Sequence, residues 1–180
     1  MARYGMLINT KRCVGCFTCV TACQSQNGLE PEEDFVKYSF LEHGSYPNAT
    51  VECVPHQCMH CADAPCAAVC PTKATFISDD GVVGVDTGRC IGCLYCVAAC
   101  PYGARVVNEH TGVPEKCRYC TVSAYTNGDP MCTCVEACPT GARVFGDLDD
   151  PDCDLVKEIA ETSAQPLLGD TTKTSIYYVR

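Results

Sequence analysis

The chain has 180 residues, a formal charge of −9 and 47% apolar residues, a share that includes 19 cysteines. Setting the cysteines aside leaves about 37%, a thin supply for a core without metal or covalent staples. The acidic balance excludes a nucleic-acid partner, which needs clustered Lys and Arg, and no apolar run approaches the roughly 18 residues that span a bilayer.

In chain order, "MARYGMLINTKRC" has no apolar signal core before Cys13, so no export signal of its own is expected, and the compartment stays open because a partner could carry the chain. Its "MLI" reads as a short strand leading into "CVGCFTCVTAC", which holds Cys13, Cys16, Cys19 and Cys23. Residues 24–50, polar and with Pro31 and Pro47, read as an irregular surface excursion. "CMHCADAPCAAVCP" follows with Cys58, Cys61, Cys66 and Cys70. "ISDDGVV" sets Asp80-Gly81 between two apolar runs, a hairpin signal. "VVGV" then leads into "CIGCLYCVAACP", with Cys90, Cys93, Cys96 and Cys100. The fourth run is split: "CRYC" gives Cys117 and Cys120, a loop follows, and "CTCVEACP" gives Cys132, Cys134 and Cys138. The exits "CPTKATFI", "CPYGARVV" and "CPTGARVF" repeat one unit of cysteine loop, helical turn, C-P and strand.

Three chemistries compete for these cysteines. A disulfide scaffold is disfavoured by close C-x2-C pairs, an odd total and the missing signal segment. Zinc takes two separated pairs and leaves the third cysteine and the x3 cysteine before Pro unexplained. The run C-x2-C-x2-C-x3-C-P is that of bacterial ferredoxins, whose first three thiolates hold one 4Fe–4S cluster and whose fourth holds a neighbour. Cys90 to Pro101 match it without a gap. Cys13 to Cys23 match it except for Gln24 in place of Pro, and the second run widens one spacing to x4. Four 4Fe–4S clusters are expected on sixteen thiolates, packed within a body roughly 40 Å across. Each cluster then lies within electron-tunnelling reach of a neighbour.

Sixteen thiolates around four oxidised cores add about −8 to the formal charge. Arg12, Arg89 and Lys116 directly precede the first cysteine of three runs, and Lys73, Arg105 and Arg143 follow three C-P exits. These cations either tune cluster potentials or are ordinary solvated surface, and the sequence leaves both open. Cys53 reads as a small buried hydrophobe and Cys153, in an acidic stretch, as a free thiol. His56 and His60 flank the second run, where four cysteines are already present, so supporting roles are expected of them.

The expected fold is small α+β and ferredoxin-like, with short strands, helical turns and an extended C-terminal tail. Residues 1–146 form the four-cluster domain, and 147–180 a tail that docks on the domain or on a partner. Asp154 caps a short helix with Leu155 and Ile159 on one face. The terminal "SIYYV", a liability if exposed, favours a partner.

Together "CVGCFTCVTAC", "CMHCADAPCAAVCPT", "DGVVGVDTGRCIGCLYCVAACPYGAR" and "CPTGARVFGDLDDP" closely resemble the four-cluster iron–sulfur subunits of the DMSO reductase family, and "SIYYV" resembles their usual ending. The resemblance covers almost the whole chain. It implies two pseudo-symmetric double-cluster lobes and a pairing that spacing alone leaves open: Cys13, Cys16, Cys19 with Cys138; Cys23 with Cys117, Cys120, Cys134; Cys58, Cys61, Cys66 with Cys100; Cys70 with Cys90, Cys93, Cys96. It implies a larger molybdopterin-containing catalytic subunit at the Cys13 end, and a membrane anchor or quinol-linked donor at the Cys90 end. Gln24 departs from the basic residue often found there in relatives. In the fourth run the family's loop length, counted from Cys120, lands on Cys132, whereas the x3 turn counted back from Cys138 lands on Cys134. The x3 turn is set by cluster geometry, so Cys134 is the expected ligand and Cys132 a bystander in a lengthened loop.

No nucleotide loop and no nucleophile–base pair is found. The chain reads as a non-catalytic electron-transfer subunit of an oxidoreductase complex. A free-standing polyferredoxin and a zinc-stapled interaction module are the competing readings.

Overall fold

The computed structural model describes residues 2–120 and 131–180. The elements run β1 (Tyr4–Asn9), α1 (Thr18–Asn27), β2 (Lys37–His43), β3 (Thr50–His56), α2 (Pro65–Ala68), β4 (Thr75–Ile77), β5 (Val83–Val85), α3 (Tyr95–Ala98), β6 (Val106–Val107), β7 (Pro114–Glu115), α4 (Thr133–Glu136), β8 (Arg143–Asp147), α5 (Asp154–Thr162), β9 (Leu167–Asp170) and β10 (Ile176–Val179). Short strands and helices, three of them a single turn, alternate along the chain. This is the small mixed architecture that the repeated C-P exits predict.

A three-stranded sheet in the order β10-β1-β8 anchors the body. β1 runs antiparallel to β8, with Met6 opposite Phe145, and parallel to β10, with Met6 opposite Ile176. Met6, Leu7 and Ile8 are all fully buried. Alternation alone would expose one face of such a strand, but here both faces are covered. Met6 and Ile8 join the main core, into which many of the cysteines pack, whereas Leu7 packs with Leu155, Ala164 and Val179.

Three two-stranded pairs complete the sheet structure: β2 with β3, β4 with β5, β6 with β7. The β4–β5 turn runs through Asp80-Gly81, with Gly81 at φ 78°, as its hairpin signal predicts. Residues 24–50 differ from the expectation of an irregular excursion. α1 continues to Asn27, and β2 pairs with β3 from Lys37 opposite His56 to His43 opposite Thr50. The pairing is masked in the sequence because β2 has no buried face that would impose alternation.

The C-terminal segment also differs in detail. α5 starts at Asp154, so the cap position falls to Cys153, which makes no side-chain cap hydrogen bond. Asp154 instead sits in the first turn, where its charge complements the helix dipole. Leu155 is fully buried and Ile159 packs beside it. Ile176 and Tyr178 are buried in β10, and the Tyr178 hydroxyl donates to the Pro55 carbonyl at 3.1 Å. The apolar ending is therefore occupied by the sheet and is not left open for a partner. No helix among the described residues is long and apolar enough to cross a membrane.

Candidate metal centre

The four cysteine loops share one backbone device. In each, the residue before the second cysteine has positive φ: Gly15 at 65°, His60 at 44°, Gly92 at 66° and Tyr119 at 53°. This left-handed step folds the loop back on itself. Each third cysteine is then the second residue of its helix: Cys19 in α1, Cys66 in α2, Cys96 in α3, Cys134 in α4. The residue at the helix cap is Phe17, Ala64, Leu94 and Cys132 in turn. Cys132 thus stands where the other runs place an apolar residue.

The loops bring cysteines together across runs. One cavity is lined by Cys58, Cys61 and Cys66 of the second run and Cys100 of the third. A second is lined by Cys90, Cys93 and Cys96 with Cys70. A third is lined by Cys117, Cys120, Cys132 and Cys134 with Cys23 of the first run. Cys13, Cys16, Cys19 and Cys138 line none of these cavities. Cys16, exposed, lies within electrostatic reach of Cys138, and Cys19 and Cys13 both act on Tyr38, whose hydroxyl is 3.2 Å from the Cys19 Sγ. Among the described residues no cysteine is in a disulfide, and no three His, Cys, Asp or Glu side chains close around a single metal ion.

Cys132 departs from the expected bystander in a surface loop. It is 1% exposed, lines the same cavity as Cys134, and its thiol donates to the Tyr119 carbonyl at 3.2 Å. A hydrogen bond to Cys120 holds the Cys132 thiol protonated and draws the Cys120 thiol down to about 6. The loop between them, 121–130, whose added length the sequence reading invokes, lies outside the described residues.

Other thiols respond to their surroundings. Burial, reinforced by Cys134, pushes Cys23 up to about 12. At Cys70 burial is outweighed by hydrogen bonds, the Thr75 amide at 3.4 Å foremost, and the thiol falls to about 7. The Ala142 amide donates in the same way to Cys138 at 3.3 Å.

The six cations of the sequence divide. Arg12 and Arg89 are exposed and face Glu158 and Asp86, and Lys73 is exposed. Lys116, Arg105 and Arg143 are buried. Lys116 Nζ donates to the carbonyls of Cys117, at 2.8 Å, and Val83. Burial disfavours the Arg143 charge, but the Cys134 and Cys19 thiols outweigh it and raise its pKa. His60 is fully buried, accepts the Val83 amide on Nδ1 at 3.0 Å, and is kept neutral by burial and by Lys116. Sequence reading gave it only a supporting role, and its left-handed backbone carried no signal. Gln24 donates to the Asp34 carboxylate at 2.8 Å, a loop tether. Cys53 is half-buried on β3, its thiol against Gly15, and Cys153 is half-buried against Gly146.

The residues present suit iron–sulfur clusters. The cavities offer four or five thiols each. Among the described residues, Arg105 Nη1, Arg143 Nη2, His60 Nε2 and the Tyr119 hydroxyl are buried without hydrogen-bond partners. Arg105 lines one cavity and Tyr119 another. Unsatisfied donors beside grouped thiols call for an anionic, acceptor-rich occupant.

The comparisons agree. Residues 49–148 match the 4Fe-4S dicluster domain family, and residues 12–74 match a second 4Fe-4S dicluster domain. The B component of the polysulfide reductase of Wolinella succinogenes is 36% identical over 98% of this chain and 94% of its own length. A protein of Halobacterium salinarum named for the iron–sulfur B component of a dimethyl sulfoxide reductase is 39% identical, covering 99% and 79%. The B component of the tetrathionate reductase of Salmonella typhimurium is 42% identical over 83% of this chain and 60% of its own. The protein belongs to this family of reductase iron–sulfur subunits: it is a non-catalytic electron-transfer protein carrying four 4Fe–4S clusters.

Proposed function

We propose that the four clusters are held crosswise in two double-cluster lobes. The first lobe is Cys13, Cys16, Cys19, Cys138 beside Cys23, Cys117, Cys120, Cys134; the second is Cys58, Cys61, Cys66, Cys100 beside Cys70, Cys90, Cys93, Cys96. The observation that carries this is the exchange of single cysteines between runs, Cys100 lining a cavity of the second run and Cys70 one of the third. Cys134 is taken as the ligand and Cys132 as its capping neighbour, because Cys19, Cys66 and Cys96 hold the same helix position as Cys134. When bound, the clusters accept and release single electrons. The chain's own residues supply thiolates, amide donors and buried cations, and keep water from the inner sites. Residues 1–146 carry the clusters, and 147–180 close the domain over β1.

The subunit relays electrons between a molybdopterin-containing catalytic subunit and a quinol-linked membrane subunit or another redox donor. Exposed apolar side chains support two docking ends: Val14, Phe17 and Phe40 by the first run, Ile91, Leu94 and Tyr95 by the third. Native copurification with iron analysis tests the reading. A complex with a molybdenum- or tungsten-containing subunit and about sixteen iron per chain is expected. A protein that purifies alone with its full iron points to a free polyferredoxin, and a colourless zinc protein ends the proposal.

A further inference from the structure

Arg143 and Arg105 are 3% and 5% exposed. Among the described residues neither has a carboxylate partner within ion-pair distance, and each keeps one guanidinium nitrogen without any partner. Arg143 Nη1 donates to Gln57 Oε1 at 2.7 Å and approaches Met6 Sδ at 3.5 Å and Cys134 Sγ at 3.8 Å. Its charge also acts on Cys19. Arg105 Nη2 approaches the Thr75 hydroxyl at 3.4 Å, and its charge acts on Cys66, Cys96 and Cys58. A buried cation left unpaired is costly, so each guanidinium needs anions nearby.

What surrounds each arginine is cysteine from two different ligand sets. Cys134 and Cys19 belong to the two sets of the first lobe. Cys66 and Cys58 belong to one set of the second lobe, and Cys96 to the other. The two arginines are also equivalent in sequence, each closing the exit C-P-x-G-A-R. One buried arginine per lobe, held between its two sets, is the shared plan; the third buried cation, Lys116, is taken up by the carbonyls of Cys117 and Val83.

We propose that Arg143 and Arg105 are potential-setting residues, each a counter-charge shared by both clusters of its lobe. Reduction adds one negative charge to a cluster, and a fixed cation in a poorly screened interior stabilises the reduced form of both neighbours. The exposed Lys73, Arg12 and Arg89 are screened by solvent and take no such part. The proposal rests on the crosswise ligand sets of the two lobes.

The test is a potentiometric titration, monitored by electron paramagnetic resonance, of the cluster-loaded protein and of Arg143→Gln, Arg105→Gln, Arg143→Lys and Arg105→Lys. Each Gln variant is expected to shift the reduced-to-oxidised ratio of the two clusters of its own lobe at least about tenfold towards oxidised, about 59 mV for one electron. The other lobe should stay unmoved, and the Lys variants should lie nearer wild type than the Gln variants. Unchanged potentials in a loaded Gln variant, equal shifts in all four clusters, or Lys variants that fall as far as Gln would overturn the proposal. If Arg143→Gln does not load, Gln57→Glu decides. It sets a carboxylate against the Arg143 guanidinium without removing it, and should lower the first-lobe potentials; no change there counts against the proposal. Wild-type protein with fewer than four resolved clusters would instead sink the ligand sets, a result independent of every variant.

Discussion

The imidazole of His60 stacks on the ring of Tyr119, with centroids 3.8 Å apart and planes at 25°. Both residues precede the second cysteine of their runs, where the first and third runs carry Gly15 and Gly92. A left-handed backbone costs a non-glycine residue about 1–2 kcal/mol, so the second and fourth runs accept strain at the same position and recover it in contact with each other. Phe145 closes on Tyr119 from 5.1 Å. Tyr119→Phe keeps the ring and removes a buried hydroxyl that has no partner among the described residues, so stability should hold or rise slightly. Tyr119→Leu should lose about 1–3 kcal/mol through the lost stack and imperfect packing. The midpoint temperature for loss of the cluster absorbance ranks the variants, and a Phe variant as weak as Leu would move the stabilising role from the ring to the hydroxyl.

Cys134→Ser should lose or convert one cluster, falling from about sixteen towards twelve iron per chain. Cys132→Ala should keep all four, while losing the thiol's hydrogen bond to the Tyr119 carbonyl and with it about 1 kcal/mol. Iron and sulfide analysis beside the paramagnetic spectra separates the two, and the reverse pattern would make Cys132 the ligand.

Glu52 collects the Thr10 hydroxyl at 2.8 Å, His43 at 3.1 Å and two donors of Arg180 at 3.0 Å each. The Arg180 hydrogen bonds in particular hold its carboxyl down to about 2, from an ordinary 4.5. A depressed carboxyl contributes stability that is complete above its unfolded value and is lost as pH falls towards the folded value. Glu52→Gln should therefore melt below wild type at pH 7, by about 1 kcal/mol given the partly exposed pair. The gap should narrow between pH 4.5 and 2. A gap independent of pH would remove charge from the account.

Ile176→Ala and Leu155→Ala, both at fully buried positions, should each cost about 2–5 kcal/mol. Faster loss of cluster absorbance in urea is the measurement. If the terminal strand were dispensable, Ile176→Ala would behave as wild type.

The cysteine pattern was legible because cluster ligation imposes its own spacing. The x3 turn led the sequence reading to Cys134, and the structure sets that residue at the same point of its helix as Cys19, Cys66 and Cys96. Where chemistry set no spacing, the sequence was silent. β2 exposes most of its side chains, so no alternation announced it. The six cations look alike in sequence, and only the way Arg105 and Arg143 turn inward from the C-P exits sets them apart from Lys73. The terminal Ile-Tyr-Tyr-Val was legible as a strand needing a neighbour, but the identity of that neighbour is a long-range fact that no local pattern carries.

That neighbour is β1, which stands between β8 and β10. β1 thus waits for residues 143–147 and 176–179, far along the chain, before either of its edges is paired. The β4–β5 and β6–β7 pairs, by contrast, close over short loops within their own neighbourhood. Loop closure is cheapest for near segments and slowest for distant ones, so the molecule matures from its middle outward. The hairpins beside the second and third runs are framed while the polypeptide is still growing, and the sheet of β1, β8 and β10 is sealed last.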